Sequence, residues 1–391
     1  MDSKKIVIIG GGHAAVQLCI SLVDVGRGND IVLISEELVL PYHRPPLSKA
    51  FLKSDTETIQ IIRGMEWFAE HGIQLFLGEK VVRIDAEEHQ ILLENGLRMG
   101  YHYLVIATGA SARSLSSIPE NTSNVFSLRN KIDAEIIRSK LNGNQDILVL
   151  GGGFVGLEFA ATAATMGHHV VLLESGPRLL ARSVSPQLAD HVLKVQTELG
   201  VDIYLSAQGN NPVIERNRFV GMNINGEFKK FSWMLVAIGG QPNEDLAKSC
   251  GISCDNGILV DDYMRTSDPS ILAIGDCTRF PLQGKKWLSH NLRLESIQNA
   301  NDQAKVAAST ICGGVTPYHS LPWFWSEQGS SRIQISGLLP MPIFKTQRVS
   351  GSASGSFSLY HFDEDGQLAC VESINFPSDH MKAKKELALR W

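Results

Sequence analysis

Nothing in the 391 residues approaches the roughly 18 consecutive apolar positions that a membrane span needs. The longest apolar runs, such as Ile6-Val7-Ile8-Ile9 and Ile147-Leu148-Val149-Leu150, are of strand length. Cysteine is sparse. Cys19, Cys250, Cys254, Cys277, Cys312 and Cys370 include no Cys-x-x-Cys, and the Cys250/Cys254 spacing has no second pair to complete a zinc site. Scattered thiols of this kind predict a reduced, cytosolic protein. A surplus of positive charge is also missing. The net charge is -5, which removes the global basic field expected of a nucleic-acid binder. Lys4 and Lys5 ahead of Ile6–Ile9 imitate the start of a signal peptide, but the run breaks at Gly10-Gly11-Gly12 with no cleavage pattern behind it. A mature cytoplasmic start is expected.

What is present is one pattern written twice. A strand at Lys5–Ile9 runs into Gly10-Gly11-Gly12-His13-Ala14-Ala15, then an apolar helix through Leu22, then a strand Ile31–Ile34 that ends at Glu36. A strand at Ile147–Leu150 runs into Gly151-Gly152-Gly153-Phe154-Val155-Gly156, then a helix through Ala164, then a strand Val170–Leu173 that ends at Glu174. Each is a βαβ unit with a dinucleotide fingerprint. The first glycine makes the turn, the second admits a pyrophosphate, and the third lets helix and strand pack closely. The helix N-terminus favours the anion, and an acid about 20 residues on accepts from the ribose hydroxyls. One such motif is weak; two, each between strand and helix and each with its acid, are strong. Ala15 in place of the third glycine of the first copy is an accepted variant.

About 140 residues separate the copies, too many for one continuous sheet. The second unit therefore reads as an insertion into the first. The predicted fold is α/β, with two Rossmann-like domains, the second nested in the first, and a small α+β domain at the C-terminus. The expected boundaries are 1–109 and 242–318 for the split first domain, 110–241 for the inserted one, and 319–391 for the last.

Further motifs carry a resemblance. Tyr103-Leu104-Val105-Ile106-Ala107-Thr108-Gly109 and Thr266 to Asp276, ending in Gly275-Asp276, resemble two signatures of the FAD-containing pyridine-nucleotide reductases. Ala237-Ile238-Gly239-Gly240-Gln241-Pro242-Asn243 resembles their exit from the NAD domain. The fold implied is that of glutathione reductase. Disulfide reductases of this group carry redox cysteines soon after the first ribose acid; here there are none between Cys19 and Cys250, so thiol chemistry at the flavin is not expected. Pro41-Tyr42-His43-Arg44-Pro45-Pro46-Leu47-Ser48-Lys49 stands there instead, and closely resembles the ferredoxin and rubredoxin reductases of bacterial oxygenase systems, putidaredoxin reductase among them. Their common form has an acid where His43 stands. Leu128-Arg129, Leu294 to Ala300, Pro322 to Gln328 and Val371 to Asn375 match the same group in order, so the resemblance spans the chain. Members ordinarily continue past the position of Trp391.

The resemblance implies roles. FAD would contact Gly10, Gly12, His13, Ala14, Ala15, Glu36, Arg44, Lys49, Val82, Ala107, Thr108, Gly109, Arg129, Asp276 and Trp325. Asp276 would bind the ribityl chain, and Arg44 and Arg129 the diphosphate, where a guanidinium fork fits. NAD would contact Gly151, Gly153, Phe154, Val155, Gly156, Glu158, Glu174, Arg182, Ile238 and Gly239. Lys49 and Glu158 are the catalytic candidates, at the flavin ring and the nicotinamide carboxamide. Taken alone, they would pass for a solvated lysine and a helix N-terminal glutamate. Trp323 and Trp325 would pass for core aromatics. Glu174 favours NADH, because a carboxylate repels a 2′-phosphate. No metal ligand set is expected.

The implied activity is NADH oxidation through FAD, with single electrons passed to a 2Fe-2S ferredoxin. That ferredoxin would serve a Rieske-type oxygenase in aromatic-hydrocarbon catabolism. The alternatives are the ferredoxin of a haem monooxygenase, or a rubredoxin. An apoptosis-inducing-factor-like binding protein would want a targeting segment and a basic surface, and an NADH oxidase or peroxidase would want a cysteine. No nucleic acid or membrane partner is expected, and a monomer or homodimer is. Arg293, Lys285, Lys286 and the Lys382–Lys385 segment are the candidates for steering an acidic acceptor.

Overall fold

The computed structural model describes residues 4–207, 211–282, 291–389 and 391. Along the chain come β1 (Ile6–Ile9), α1 (His13–Val23), β2 (Ile31–Ser35), β3 (Gln74–Leu77) and β4 (Tyr103–Ile106). Next come β5 (Val125–Phe126), β6 (Asp146–Leu150), α2 (Phe154–Thr165), β7 (His169–Leu173), α3 (Pro186–Glu198), β8 (Val201–Tyr204) and β9 (Trp233–Val236). The chain then returns with β10 (Ile271–Ala273) and α4 (Ile297–Ile311). The last region holds β11 (Trp323–Gln328), β12 (Ser331–Gly337), β13 (Lys345–Ser350), β14 (Phe357–Phe362), β15 (Leu368–Ile374) and α5 (Pro377–Ala388).

Two five-stranded parallel sheets result. The first has the order β10-β4-β1-β2-β3 and the second β8-β7-β6-β9-β5. Their central strands are runs of Ile, Val and Leu buried on both faces, as a sheet covered by helices on either side requires. Every strand of the second sheet lies in sequence between β4 and β10 of the first. The nesting read from the repeat spacing is thus visible as strand order. The chain leaves and re-enters side by side: Ala110–Ala112 pairs antiparallel with Gly240–Pro242. Asn243 ties this crossing down, its side-chain N–H donating to Thr108 O and its backbone N–H to Gly109 O.

The third layer is an antiparallel sheet, β11-β12-β15-β14-β13, with α5 packed on β15 and β12. Period-two alternation governs β11. Phe324, Ser326 and Gln328 point at α2, where the Phe324 ring meets Phe154 with centroids 4.5 Å apart. Trp323 and Trp325 occupy the other face and stack on each other at 5.1 Å. Behind this sheet runs a buried polar set. Glu372 accepts from His361 Nε2 at 2.9 Å and from the backbone N–H of Ser185 at 2.8 Å. Ser185 is also the N-cap of α3, so a carboxylate of the last region is fixed to a helix of the second unit. His380 is bonded to both Ser336 and Ser373, 2.9 Å to each. Among the described residues, no helix is long and apolar enough to cross a membrane.

Candidate active site

The two glycine turns are built alike. Gly10 and Gly151 adopt left-handed φ values of 118° and 106°. A Cβ at Gly10 would sit 2.3 Å from Ala107 O, and one at Gly151 would sit 2.4 Å from Ala237 O. Only glycine fits either place. Each turn therefore presses on the end of the neighbouring parallel strand, β4 in one unit and β9 in the other. That explains why Ala107-Thr108-Gly109 and Ala237-Ile238-Gly239 follow those strands. Both α1 and α2 begin without a side-chain cap, so their first N–H groups are free to meet an anion.

Both turns open on one continuous cleft of about 2350 Å³. All but two of the sequence-derived site residues line it. On the side of the first unit these are Gly10, Gly12, His13, Ala14, Glu36, Arg44, Lys49, Val82, Ala107, Thr108, Gly109, Arg129 and Asp276, with Trp325 entering from β11. On the side of the second they are Gly151, Gly153, Phe154, Val155, Glu158, Glu174, Arg182, Ile238 and Gly239. Ala15 and Gly156 are the two that stay out of it. Both are buried between helix and strand; a Cβ at Gly156 would come 2.2 Å from Gly151 O. They are packing positions between helix and strand.

At the junction of the units, Lys49 Nζ lies 2.9 Å from Glu158 Oε2. Glu158 is 7% exposed, and it is fully bonded: the Ser48 hydroxyl donates at 2.6 Å and the Ser326 hydroxyl at 2.7 Å. Gln328 Nε2 donates in turn to Ser326. Sequence reasoning missed Ser48 and Ser326; their only signal was adjacency to Lys49 and Trp325 in motifs already noted. A buried carboxylate needs such donors, since an unpaired one in this position would cost several kcal/mol (roughly 3–5).

Several of the remaining charges are paired. Arg44 Nη2 donates to Glu37 at 2.6 Å and Nη1 to Arg129 O at 3.0 Å, while Arg129 Nη2 reaches Asp276 at 2.9 Å. Burial pushes the Asp276 carboxyl up, and the Arg129 guanidinium pulls it partly back. The acids that end the two βαβ units differ. Glu36 is exposed and pairs with Lys80 at 3.0 Å. Glu174 accepts two backbone N–H groups, Gly152 at 2.7 Å and Gly176 at 2.6 Å. Its carboxylate thus holds the second glycine turn in shape.

All six cysteines are free and none lines the cleft. Of the expected steering cations, Lys285 and Lys286 fall outside the described residues. Arg293 lines the cleft and pairs with Glu295. Lys382 and Lys385 are exposed on α5. Lys384 Nζ sits 4.3 Å over the Trp323 ring, and burial lowers its pKa. A cation–aromatic stack, Lys384 to Trp323 to Trp325, so connects α5 with the cleft.

Two glycine cradles on one cleft, each with bare helix N–H groups, fit two dinucleotides. The chain belongs to the pyridine nucleotide-disulphide oxidoreductase family, whose model matches residues 4–304, and a "Reductase C-terminal" model matches residues 323–390. It is an oxidoreductase that uses FAD and a pyridine nucleotide. Within the family it is 40% identical to rhodocoxin reductase of Rhodococcus erythropolis over 387 residues, covering 98% of this chain and 89% of that one. It is 35% identical to putidaredoxin reductase of Pseudomonas putida over 393 residues, covering 98% and 91%. Among solved structures, the ferredoxin reductase for the CYP199A2 system from Rhodopseudomonas palustris superposes with a TM-score of 0.92 at 35% identity, over 99% of this chain and 95% of that one. The reductase of a covalent putidaredoxin reductase-putidaredoxin complex does so with 0.91 at 32% identity, over 99% and 93%.

Proposed function

We propose that this protein oxidises NADH and passes the electrons singly to a 2Fe-2S ferredoxin that serves an oxygenase acting on aromatic compounds. The observation that carries the proposal is a single cleft shared by two dinucleotide folds, with the Lys49–Glu158 pair at their junction and no cysteine in its walls. A disulfide reductase would need sulfur there. The names of the relatives, which include the reductase component of an anthranilate 1,2-dioxygenase system, support a protein acceptor.

Bound FAD supplies the chemistry, taking two electrons as a hydride and releasing them one at a time. The chain's own groups bind and orient. The α1 and α2 N-termini receive the two pyrophosphates. Arg44 and Arg129 would hold the first, and Asp276 would accept from the ribityl hydroxyls. Glu174 keeps lone pairs for the ribose hydroxyls of the nicotinamide cofactor and repels a 2′-phosphate, which favours NADH. Lys49 places its ammonium where negative charge develops, and Glu158 holds it in position at 2.9 Å. Trp325 lines the cleft beside the Trp323–Lys384 stack, next to the exposed Lys382 and Lys385, and there an acidic acceptor would dock. The protein works as a monomer or homodimer in the cytoplasm.

Stopped-flow reduction by NADH, followed by mixing with a 2Fe-2S ferredoxin or with oxygen, tests this. Fast reoxidation by the ferredoxin is expected. Fast reoxidation by oxygen with none by ferredoxin would overturn it.

A further inference from the structure

His13 is the first residue of α1 and lines the cleft, and His43 stands behind it on the 41–49 loop. His13 Nε2 and His43 Nδ1 are 3.1 Å apart, with the rings tilted at 55°. This is an N–H···N hydrogen bond and not a stack. The loop that carries His43 is pinned: its backbone N–H donates to Gln60 O at 2.8 Å, and Ile62 N–H donates to Pro41 O at 2.8 Å. The neighbouring cations are already compensated. Arg44 is held by Glu37, Lys49 by Glu158, Lys80 by Glu36, Arg129 by Asp276 and Arg293 by Glu295.

Proton counting gives the pair its property. Two neutral imidazoles carry two N–H groups, and one of these is spent between the rings. Whichever ring donates, one of the two remaining nitrogens is a bare acceptor. A diphosphate offers only acceptors and carries negative charge. One more proton puts an N–H on both remaining nitrogens whichever ring donates, and adds a positive charge to those of Arg44 and Arg129.

We propose that His13 and His43 act as one proton-accepting unit toward the diphosphate of FAD, so that flavin binding takes up a proton from solvent. The inference rests on the reading that the first unit holds FAD. Burial first, then the two charged and titratable groups bearing on it, His43 and Arg44, push the His13 imidazole from 6.5 down to about 4. A dianion beside the ring acts in the opposite direction. The flavoprotein therefore holds FAD more tightly as pH falls from 8 to 6, by up to about tenfold per pH unit for one proton.

The test is the rate of FAD release from the holoenzyme, read from the recovery of free-flavin fluorescence at pH 6, 7 and 8. In the natural chain, release should slow several-fold per unit as pH falls. In His43→Gln and His13→Gln the dependence should flatten. Release independent of pH in the natural chain, or the natural chain's slope retained in both variants, overturns the proposal. If either variant fails to fold, nitrogen-15 spectra of the histidines in the natural holoenzyme decide at pH 7: imidazolium signals from the pair support the unit, and two neutral rings refute it. A chain that retains no flavin at any pH would instead refute the assignment of FAD to this fold.

Discussion

The Lys49 ammonium and the Glu158 carboxylate join at 2.9 Å across the junction of the two dinucleotide units, and hydroxyls from Ser48 and Ser326 complete the carboxylate's bonding. The four groups come from three regions of the chain. Each region thereby contributes to one buried charge pair.

That pair predicts unequal effects of two substitutions. Glu158→Leu strands one ammonium and two hydroxyls and should cost about 3–5 kcal/mol in stability. Glu158→Gln keeps partners for the hydroxyls and should cost about 1–3 kcal/mol. Urea unfolding midpoints at constant slope measure both. Equal losses would contradict the bonding described for Glu158.

Glu174 has two jobs, since it also accepts from Gly152 and Gly176. Glu174→Ala should raise the NADPH-to-NADH ratio of kcat/KM by about tenfold or more, because the repelling charge is gone. It should also lower stability by about 1–2 kcal/mol, because two backbone N–H groups lose a charged acceptor. Adding Ser175→Arg should raise the NADPH ratio further. An unchanged ratio in both variants would end the assignment of Glu174 to cofactor choice.

Gly156 can be altered without touching the first unit. A methyl there meets Gly151 O, so Gly156→Ala should spread helix from strand at a cost of about 1–3 kcal/mol. The expected phenotype is weakened binding of the pyridine nucleotide with full flavin content, read from an NADH titration and the absorbance ratio of flavin to protein. Loss of flavin alongside would show that the two cradles depend on each other.

His380 sets a pH limit. Burial first, then the Lys384 ammonium, push its imidazole from 6.5 down to about 4. The unfolded chain therefore binds the extra proton between those values. Stability is intact above about pH 6.5 and falls as pH drops toward 4, by up to about 1.4 kcal/mol per unit from this residue. His380→Gln should remove that part of the slope. Chemical denaturation at pH 7, 5.5 and 4.5 checks it, and identical slopes in both proteins would refute it.

The fold was legible because its signals are local and doubled. Gly10 and Gly151 are readable as glycines that nothing else can replace, since the carbonyls of Ala107 and Ala237 leave no room for a side chain. The nesting followed from the separation of the two turns. What escaped was pairing across distance. Ser326 lies 168 residues from Glu158, and no pattern in the sequence links them. Arg293 could be named as a cation, but its pairing with Glu295 in the cleft was not legible, because charge says nothing of direction. His43 stood out as a departure, but its partner His13 became visible only when the 41–49 loop was seen pinned at Gln60 and Ile62.

The alternation of β11 places Trp325 toward the cleft and Ser326 toward Glu158 on consecutive residues. A register slip of one residue in that strand would exchange them, putting an indole against a buried carboxylate and a hydroxyl in the cleft. The third layer is therefore not a lid added to two finished nucleotide folds. Excised at residue 322, those folds would keep both glycine cradles yet leave Glu158 without the Ser326 hydroxyl that completes its bonding.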